Sequence, residues 1–220
     1  MGNVRSQQKF ATGLAGTAMA GGLLLSGAAM AQIVPDATLG NEASTVTTDS
    51  PIRGANGDLI EGGALRGDDL FHSFEDFNVS DLQRVYFANP AAIDSIFSRV
   101  TGNNISEILG TLGVDGDADL YFLNPNGVVF GENAQLDIAG SLFVSTADGF
   151  DWGEGLVYSA TDPNAPPLLA VSLTPGLQLS ATQRAIENNG NLAVGKDLTL
   201  ASRALTLTGE LLAGAPLSLL

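Results

Sequence analysis

Cysteine is absent from all 220 residues of the chain, and histidine occurs once, as His72. The lack of cysteine excludes disulfide bonds and metal sites built on thiolates. A single histidine excludes zinc sites that need several imidazoles, and it is the only candidate base for a serine triad. The fold must therefore be stabilised by burial of apolar side chains and by backbone hydrogen bonds.

Basic residues are also scarce. The chain has 9 Lys and Arg against 24 Asp and Glu, for a formal net charge of −15. Nucleic acids and anionic membranes are bound through Lys and Arg, so this balance disfavours both as partners. There is no Gly-rich phosphate-binding loop with its lysine. These absences predict no cofactor and no catalytic residues.

One acidic stretch resembles part of a calcium loop. Asp115, Asp117 and Asp119 alternate with small residues. An EF-hand also requires Gly at its sixth position and Glu at its twelfth, where this chain has Leu120 and Asn126. We therefore predict a solvated turn before a strand, and no metal site.

The first segment has the pattern of an export signal. Arg5 and Lys9 are followed by residues 10–29, which are uncharged and rich in Ala, Leu and Gly. Ala29-Met30-Ala31 then matches the A-x-A pattern of a cleavage site. Glycines and threonines interrupt the apolar core, which argues against a transmembrane anchor. Residues 1–31 are predicted to be a cleaved secretory signal peptide.

Short strands separated by sharp corners are predicted for the middle of the chain. Within residues 119–145, apolar residues alternate at strand spacing on both sides of Asn124-Pro125-Asn126-Gly127. Pro125 fixes φ near the value of the first corner of a turn, and Asn126 and Gly127 tolerate positive φ. The pattern predicts strand, corner and strand, with no helix.

The C-terminal part of the chain is repetitive. Residues 191–195 and 210–214 have similar sequences 19 positions apart, with two short Leu-Thr-Leu strands between them. This period predicts a parallel β-helix. The side chains predicted to point into its core are Leu192, Val194, Leu198, Leu200, Leu205 and Leu207. Because the chain ends at Leu220 within the next predicted strand, we expect a fragment of a longer solenoid or a truncated gene product.

Four other segments receive local predictions. The glycines in 51–67 predict tight turns between strands of about two to four residues. Phenylalanines spaced by three in 71–77 fit a helical stripe, and we interpret them as core. Residues 93–100 are predicted to form one or two helical turns. Gly, Asp, Asn and Pro in 148–167 predict a loop, with strand resuming at 168–171.

Several features together resemble the two-partner secretion domain, the N-terminal haemagglutination activity domain of filamentous haemagglutinin-like exoproteins. They are the signal peptide, Phe71-His72-Ser73-Phe74 with Phe77-Asn78-Val79, Arg99-Val100-Thr101-Gly102, and Asn124-Pro125-Asn126-Gly127. The resemblance implies an all-β, right-handed parallel β-helix with an N-terminal cap and extra-helical β-elements. It assigns 32–180 to the secretion domain and 181–220 to further coils.

The resemblance also implies a route and a partner. Such a domain is recognised in the periplasm by the POTRA domains of an outer-membrane TpsB (Omp85-type) transporter, and the product is secreted or displayed on the cell surface. It implies no catalysis. Asn124, Pro125, Asn126 and Gly127 would form the secretion motif, and the residues of a mainly structural box would be Phe71, His72, Phe74, Phe77 and Asn78.

One motif of some family members, Asn-Pro-Asn-Leu, is missing, and the nearest match is Asn89-Pro90-Ala91-Ala92. Two alternative functions stay open. A β-helical polysaccharide lyase or hydrolase would share the solenoid, although the few, scattered basic residues count against it. A plain structural or adhesive surface module would share the fold without an export partner.

Overall fold

The computed structural model describes residues 33–166, 175–179 and 184–220. The predicted signal peptide and the predicted strand at 168–171 lie outside these ranges. Within them, one 3₁₀ helix is formed by Gly40–Glu42. The strands, numbered in chain order, are β1 Ile33–Pro35, β2 Ser44–Ile52, β3 Ala55–Gly62, β4 Ala64–Arg66, β5 Asp69–Phe77, β6 Arg84–Ala88, β7 Ser95–Val100, β8 Ser106–Ile108, β9 Thr111–Asp115, β10 Asp119–Leu123, β11 Val128–Phe130, β12 Gln135–Asp137, β13 Leu142–Ser145, β14 Gly149–Asp151, β15 Val157–Ser159, β16 Gly176–Gln178, β17 Ile186–Asn188, β18 Leu192–Val194, β19 Leu198–Ala201, β20 Leu205–Leu207, β21 Leu211–Ala213 and β22 Leu217–Leu219.

The strands stack in three parallel faces, so the chain is a parallel β-helix. Face A contains β5, β7, β10, β13, β19 and β22; face C contains β8, β11, β17 and β20; face B contains β6, β9 and β12, which β18 and β21 follow. Each coil passes through face A, face C and face B in turn. The predicted 19-residue register is confirmed, because Leu198 pairs with Leu217 and Ile186 pairs with Leu205.

Apolar ladders fill the interior of the coils. On face A, one row of aligned side chains runs through Leu70, Ile96, Leu120, Leu142, Leu198 and Leu217. All but Leu217 belong to one buried core that continues onto the other faces. Because a strand of three residues buries too little surface to be stable alone, this shared core holds the coils together.

An N-terminal cap covers the first coil. β1 and β4 both pair antiparallel with β5, on the edge opposite to β7. The β2–β3 hairpin pairs with β6 through β3. These strands satisfy edge groups that would otherwise be open to pairing with another chain.

A small antiparallel sheet leaves the helix between β13 and β17. In it, β14 pairs with both β15 and β16. Its aromatic residues cover a second apolar cluster on the outside of face A, where Phe71, Phe97 and Tyr121 stack with ring centroids 4.5–5.1 Å apart. We call the segment 148–164 the extra-helical hairpin.

The two helical predictions are wrong. Residues 95–100 form β7, and Phe71, Phe74 and Phe77 all lie on β5. A spacing of three places Phe71 and Phe74 on opposite sides of a strand, so Phe71 lies in the outer cluster and Phe74 in the inner core. Phe77 is also in the inner core, because the pairing of β5 with β1 shifts register between Phe74 and Asp76. All three are buried, which confirms the interpretation as core.

Two segments predicted as turns or loop contain more strand than expected. Residues 51–67 contain the tip of a hairpin whose strands, β2 and β3, have 9 and 8 residues. Gly54 lies at this tip, whereas Gly57 and Gly62 lie within β3 and do not interrupt it. The predicted loop 148–167 contains β14 and β15, which bury Phe150 and Tyr158. In both cases, pairing with neighbouring strands outweighs the turn preference of Gly, Asn and Asp.

The inward prediction for the C-terminal ladder holds for four of its six residues. Leu192, Val194, Leu198 and Leu200 are buried, whereas Leu205 is half-buried and Leu207 is 36% exposed. β20, which carries the last two, is the edge strand of face C. Its side chains therefore have a neighbouring coil on one side only. No helix in the described parts of the chain is long and apolar enough to cross a membrane.

Candidate functional site

The residues Asn124–Gly127 form the corner between β10 on face A and β11 on face C. The Gly127 N–H donates to the Asn124 carbonyl at 3.1 Å, which closes a four-residue turn over Pro125 and Asn126. Gly127 has φ +116°, and a Cβ there would lie 3.1 Å from the Ala185 carbonyl oxygen of the next coil. The corner therefore requires glycine both for its backbone angle and for the close approach of the next coil.

The Asn124 side chain is fully buried and bridges two coils. Its amide nitrogen Nδ2 donates to the Asn104 carbonyl at 3.1 Å and to Ser106 Oγ at 2.9 Å, both in the preceding coil. Its Oδ1 accepts from the Asn126 backbone N–H at 2.9 Å. All of its hydrogen-bonding groups are thus used within the fold, and none faces solvent.

Asn126 adds a second bridge to the same coil. Its Nδ2 donates to the Gly102 carbonyl at 2.8 Å, and the side chain is half-buried. Pro125 is also half-buried. The two asparagines therefore hold this corner against residues 102–106, the corresponding corner one coil earlier.

A groove of about 390 Å³ lies beside the corner. Among the residues lining it are Ile105, Asn126, Val129, Arg184 and Glu187. Solvent can reach this side of the corner, whereas the Asn124 side chain is fully buried.

Of the box predicted from the sequence, here called the Phe-His box, Phe71, His72, Phe74 and Phe77 lie on β5, two strands away from β10 on face A, and Asn78 directly follows β5. Phe74 and Phe77 are in the inner core, and Phe71 is in the outer aromatic cluster. The Phe77 ring lies 5.0 Å from the Phe122 ring, which is two residues before Asn124. The Phe-His box thus contacts β10, the strand that leads to the Asn124–Gly127 corner, through ring packing in the core. The two motifs do not form one site.

His72 is fully buried and points into the core beside Phe87. Its Nδ1 lies 3.0 Å from Ser44 Oγ, and Nε2 has no hydrogen-bond partner among the described residues. Burial lowers the pKa of His72 to about 3, so the imidazole is neutral in the fold. A neutral, inaccessible imidazole packs the core and cannot act on a substrate.

Asn78 and Asn89 are further asparagines that hold coil corners. Asn78 Oδ1 accepts from the Glu107 backbone N–H at 2.9 Å, on the edge of β8 where Val79 forms a single bridge with Ile108. Asn89 Oδ1 accepts from the N–H groups of Asp117 and Ala118, and its Nδ2 donates to the Ile93 carbonyl at 2.9 Å. The Asn89-Pro90 turn thus bridges two coils in the same way as the Asn124-Pro125 turn.

Arg99, to which no sequence pattern assigns a role, is the centre of a buried polar network. Its guanidinium donates to the hydroxyls of Ser73 and Thr38 and to the carbonyls of Ser159 and Asn164, at 2.7–2.9 Å. Ser73 and Thr38 in turn donate to the Asp36 carboxylate. The signal that this network leaves in the sequence is a single charged residue in a strand, β7, whose other residues are uncharged.

Acidic residues do not converge on a metal site in the described parts of the chain. No group of three or more His, Asp or Glu side chains there is arranged to hold an ion. Asp115 and Asp119 lie at the end of β9 and the start of β10, on either side of the turn that the sequence predicts. Burial and the neighbouring Asp68 carboxylate raise the pKa of Asp69 to about 6.

Comparison with known proteins places these motifs in a common context. The family model described as "TPS secretion domain" matches residues 31–215. A heme/hemopexin-binding protein of Haemophilus influenzae strain Rd is 38% identical over 78 residues, and a second from Haemophilus influenzae is 33% identical over 75 residues. These matches cover 36% and 34% of this chain and 8% of either relative's length.

A solved structure gives a further match. The crystal structure of the filamentous hemagglutinin secretion domain is 16% identical, with a TM-score of 0.36, and the match covers 85% of this chain and 96% of that chain.

Proposed function

The chain belongs to the family of TPS secretion domains, and from this premise we propose that residues 32–180 direct export of the protein across the outer membrane through a TpsB-type β-barrel transporter. The observation that carries the proposal is the family match over residues 31–215, which includes both the Phe-His box and the Asn124–Gly127 corner. Residues 1–31 would act as the signal peptide and residues 181–220 as further coils of the exported helix.

The partner in this proposal is the set of POTRA domains on the transporter, which meets the chain in the periplasm before it folds. Asn124, Pro125, Asn126 and Gly127 serve export through the turn they build. The bridges from Asn124 and Asn126 to residues 102–106 support this assignment, because they give both side chains a structural use in the folded domain.

The exported product is secreted or held at the cell surface, and we propose that it acts without catalysis, as an adhesin or another exoprotein. The full burial of His72, the only histidine, supports a non-enzymatic function. The chain spans 8% of the length of the two heme/hemopexin-binding relatives, so the match itself supports a shared secretion domain and not a shared ligand.

Two substitutions test the structural role of the corner. We expect Asn124→Ala and Asn126→Ala each to lower the free energy of unfolding by about 1–3 kcal/mol per lost buried hydrogen bond, with the larger effect for Asn124. Urea unfolding of the chain from Gln32 to Leu220 measures this. Binding of the unfolded variants to the purified POTRA domains is expected to match that of the unmodified chain.

Asn133→Ala is the matched control, because Asn133 is exposed and its amide bonds only the exposed Asp81. It should change the free energy of unfolding by less than about 0.5 kcal/mol. Full stability of the Asn124 and Asn126 variants together with lost POTRA binding would show that the motif is a direct recognition element. Failure of the unmodified chain to bind POTRA domains would refute the proposed partner.

A further inference from the structure

Arg99 is a fully buried cation whose hydrogen-bond partners come from two distant parts of the chain. Its Nη2 donates to Thr38 Oγ1 in the N-terminal cap and to the Asn164 carbonyl at the end of the extra-helical hairpin, each at 2.8 Å. Its Nη1 donates to the Ser159 carbonyl at 2.7 Å. The Tyr158 ring covers the guanidinium, with Cζ 4.0 Å from the ring centroid.

The cap side of the network supplies the compensating charge. Asp36 accepts hydrogen bonds from the hydroxyls of Ser73, Thr38 and Thr101 at 2.6–2.7 Å. Burial raises the pKa of Asp36, and these hydrogen bonds outweigh that effect and hold its pKa below the usual value. The carboxylate is therefore ionised and linked to Arg99 through Ser73 and Thr38, which each bond to both.

The hairpin side of the network supplies the rest of the enclosure. Tyr158 also donates from its hydroxyl to the His72 carbonyl at 2.8 Å, so the hairpin is bonded to β5 as well as to Arg99. Without the hairpin, Arg99 would lose two carbonyl acceptors and the ring that covers it. Without the cap, it would lose Thr38 and the link to Asp36.

A buried guanidinium with missing partners is strongly unfavourable, because its desolvation is then not compensated. The cap alone or the hairpin alone therefore leaves Arg99 buried with too few hydrogen-bond partners. The two elements stabilise each other through this one side chain. The coils in between can stack through their own ladder, but the first coil is closed only when both halves are present.

We propose that Arg99 is a latch that couples the N-terminal cap to the extra-helical hairpin, so that the domain reaches its stable state only when the chain is available as far as Asn164. The latch concerns the folding of this chain alone. Its consequence for export, a domain that stays unfolded until the hairpin has arrived, rests on the function proposed above.

The latch is tested by urea unfolding of the chain from Gln32 to Leu220. Single, double and triple variants at Thr38, Tyr158 and Arg99 are compared. Thr38→Val removes the cap hydroxyl at nearly constant volume, and Tyr158→Leu removes the ring on the hairpin. With Arg99 present, we expect the two substitutions to be non-additive by at least a factor of about 3 in the unfolding constant. In the Arg99→Met background, the same pair should become additive.

Tyr158→Phe is the matched control, since it keeps the ring over the guanidinium and removes only the hydroxyl. Because its contact with Arg99 is unchanged, it should be additive with Thr38→Val. Additivity of Thr38→Val and Tyr158→Leu with Arg99 present would overturn the proposal. Equal coupling of this pair in the Arg99→Met background would also overturn it, and would assign the connection to Ser73 instead.

Hydrogen exchange of the unmodified chain provides a test that does not depend on whether the variants fold. The protected amides of β1 and of β14 and β15 should open together, with the same dependence on urea, as one cooperative unit. Exchange of the hairpin amides at lower urea than those of β1 would overturn the latch. Neither experiment includes the transporter, so a failure of POTRA binding leaves their results unaffected.

Discussion

Single polar residues inside this fold act by bridging coils. Asn124, Asn126 and Asn89 each pair backbone groups that a sharp corner leaves open, and Arg99 does the same between the cap and the hairpin. Each such group is stabilising only while its partners are present, because an unpaired buried donor is worse than none. His72 differs, since its Nε2 and the Oγ of Ser98, its register partner on β7, have no hydrogen-bond partner among the described residues.

His72 gives the domain a pH dependence of known sign. Its pKa is about 3 in the fold, because of burial, and about 6.5 in an unfolded chain. The unfolded state therefore binds the extra proton between these values, and stability falls as the pH drops below about 6.5. We expect the slope to be on the order of 1 kcal/mol per pH unit between about pH 6 and pH 4. Urea unfolding at a series of pH values measures it.

The control for this titration is His72→Gln, which carries no charge at any pH. Asp69, whose pKa is raised to about 6, contributes in the opposite direction, since its stabilising effect is lost as the pH rises through that value. Asp69 is unchanged in the variant, so the difference between the two curves isolates His72. Parallel curves for the variant and the unmodified chain would contradict the assignment.

At the scale of elements, the strands of the coils are too short to stand alone, and their stability comes from the ladder above and below. Leu200 has a neighbour on both sides, because β19 pairs with β13 and β22. Leu207 lies on β20, which pairs only with β17. The leucines of the same Leu-Thr-Leu pattern are thus buried on face A and partly exposed on face C of one coil.

Aspartate substitutions at these two leucines test the ladder. Leu200→Asp should lower the free energy of unfolding by about 3 kcal/mol or more, because it buries a charge without a partner. Leu207→Asp, at a 36% exposed position, should lower it by less than about 1 kcal/mol. Thermal unfolding of both variants separates them, and equal effects would show that the two faces are buried alike.

The sequence predicts the coils better than it predicts the extra-helical hairpin and the Arg99 network. The 19-residue period gives the register of the last coils, since it repeats both the strands and the turn residues between them. The hairpin 148–164 is not predicted, because its strands are only three residues long and are flanked by turn-forming residues. Arg99 is recognisable as the one charged residue of β7, but its partners lie 26 to 65 residues away and no local pattern indicates them.

At the scale of the whole molecule, the fold is a stack of coils with one end covered. β1, β4 and the β2–β3 hairpin cover the first coil, and the hairpin tip also reaches along face B, where Arg53 pairs with Asp137 at 2.9 Å. β1 begins at Ile33, two residues after the predicted cleavage site. A chain that kept residues 1–31 would carry an apolar segment immediately before β1 in the sequence.

Cleavage after Ala31 is therefore the expected first event in export. Exported protein should begin at Gln32, and N-terminal sequencing of the secreted or surface fraction measures this. Ala31→Arg removes the small residue of the A-x-A site and should block processing, whereas Ala37→Arg, beyond the site, should not. Recovery of Met1 in exported protein would show that the segment is retained.

Each 19-residue coil lengthens the β-helix very little compared with the length of its extended chain. Leu198 and Leu217 are neighbours across adjacent strands, although they are 19 residues apart in the chain. One coil therefore adds about 4.8 Å to the helix, whereas the same residues fully extended span about 65 Å. Each coil that forms beyond a narrow pore takes up about 60 Å of extended chain. Backward sliding of the chain through the pore would require that coil to unstack. The stacking of each new coil therefore opposes backward movement.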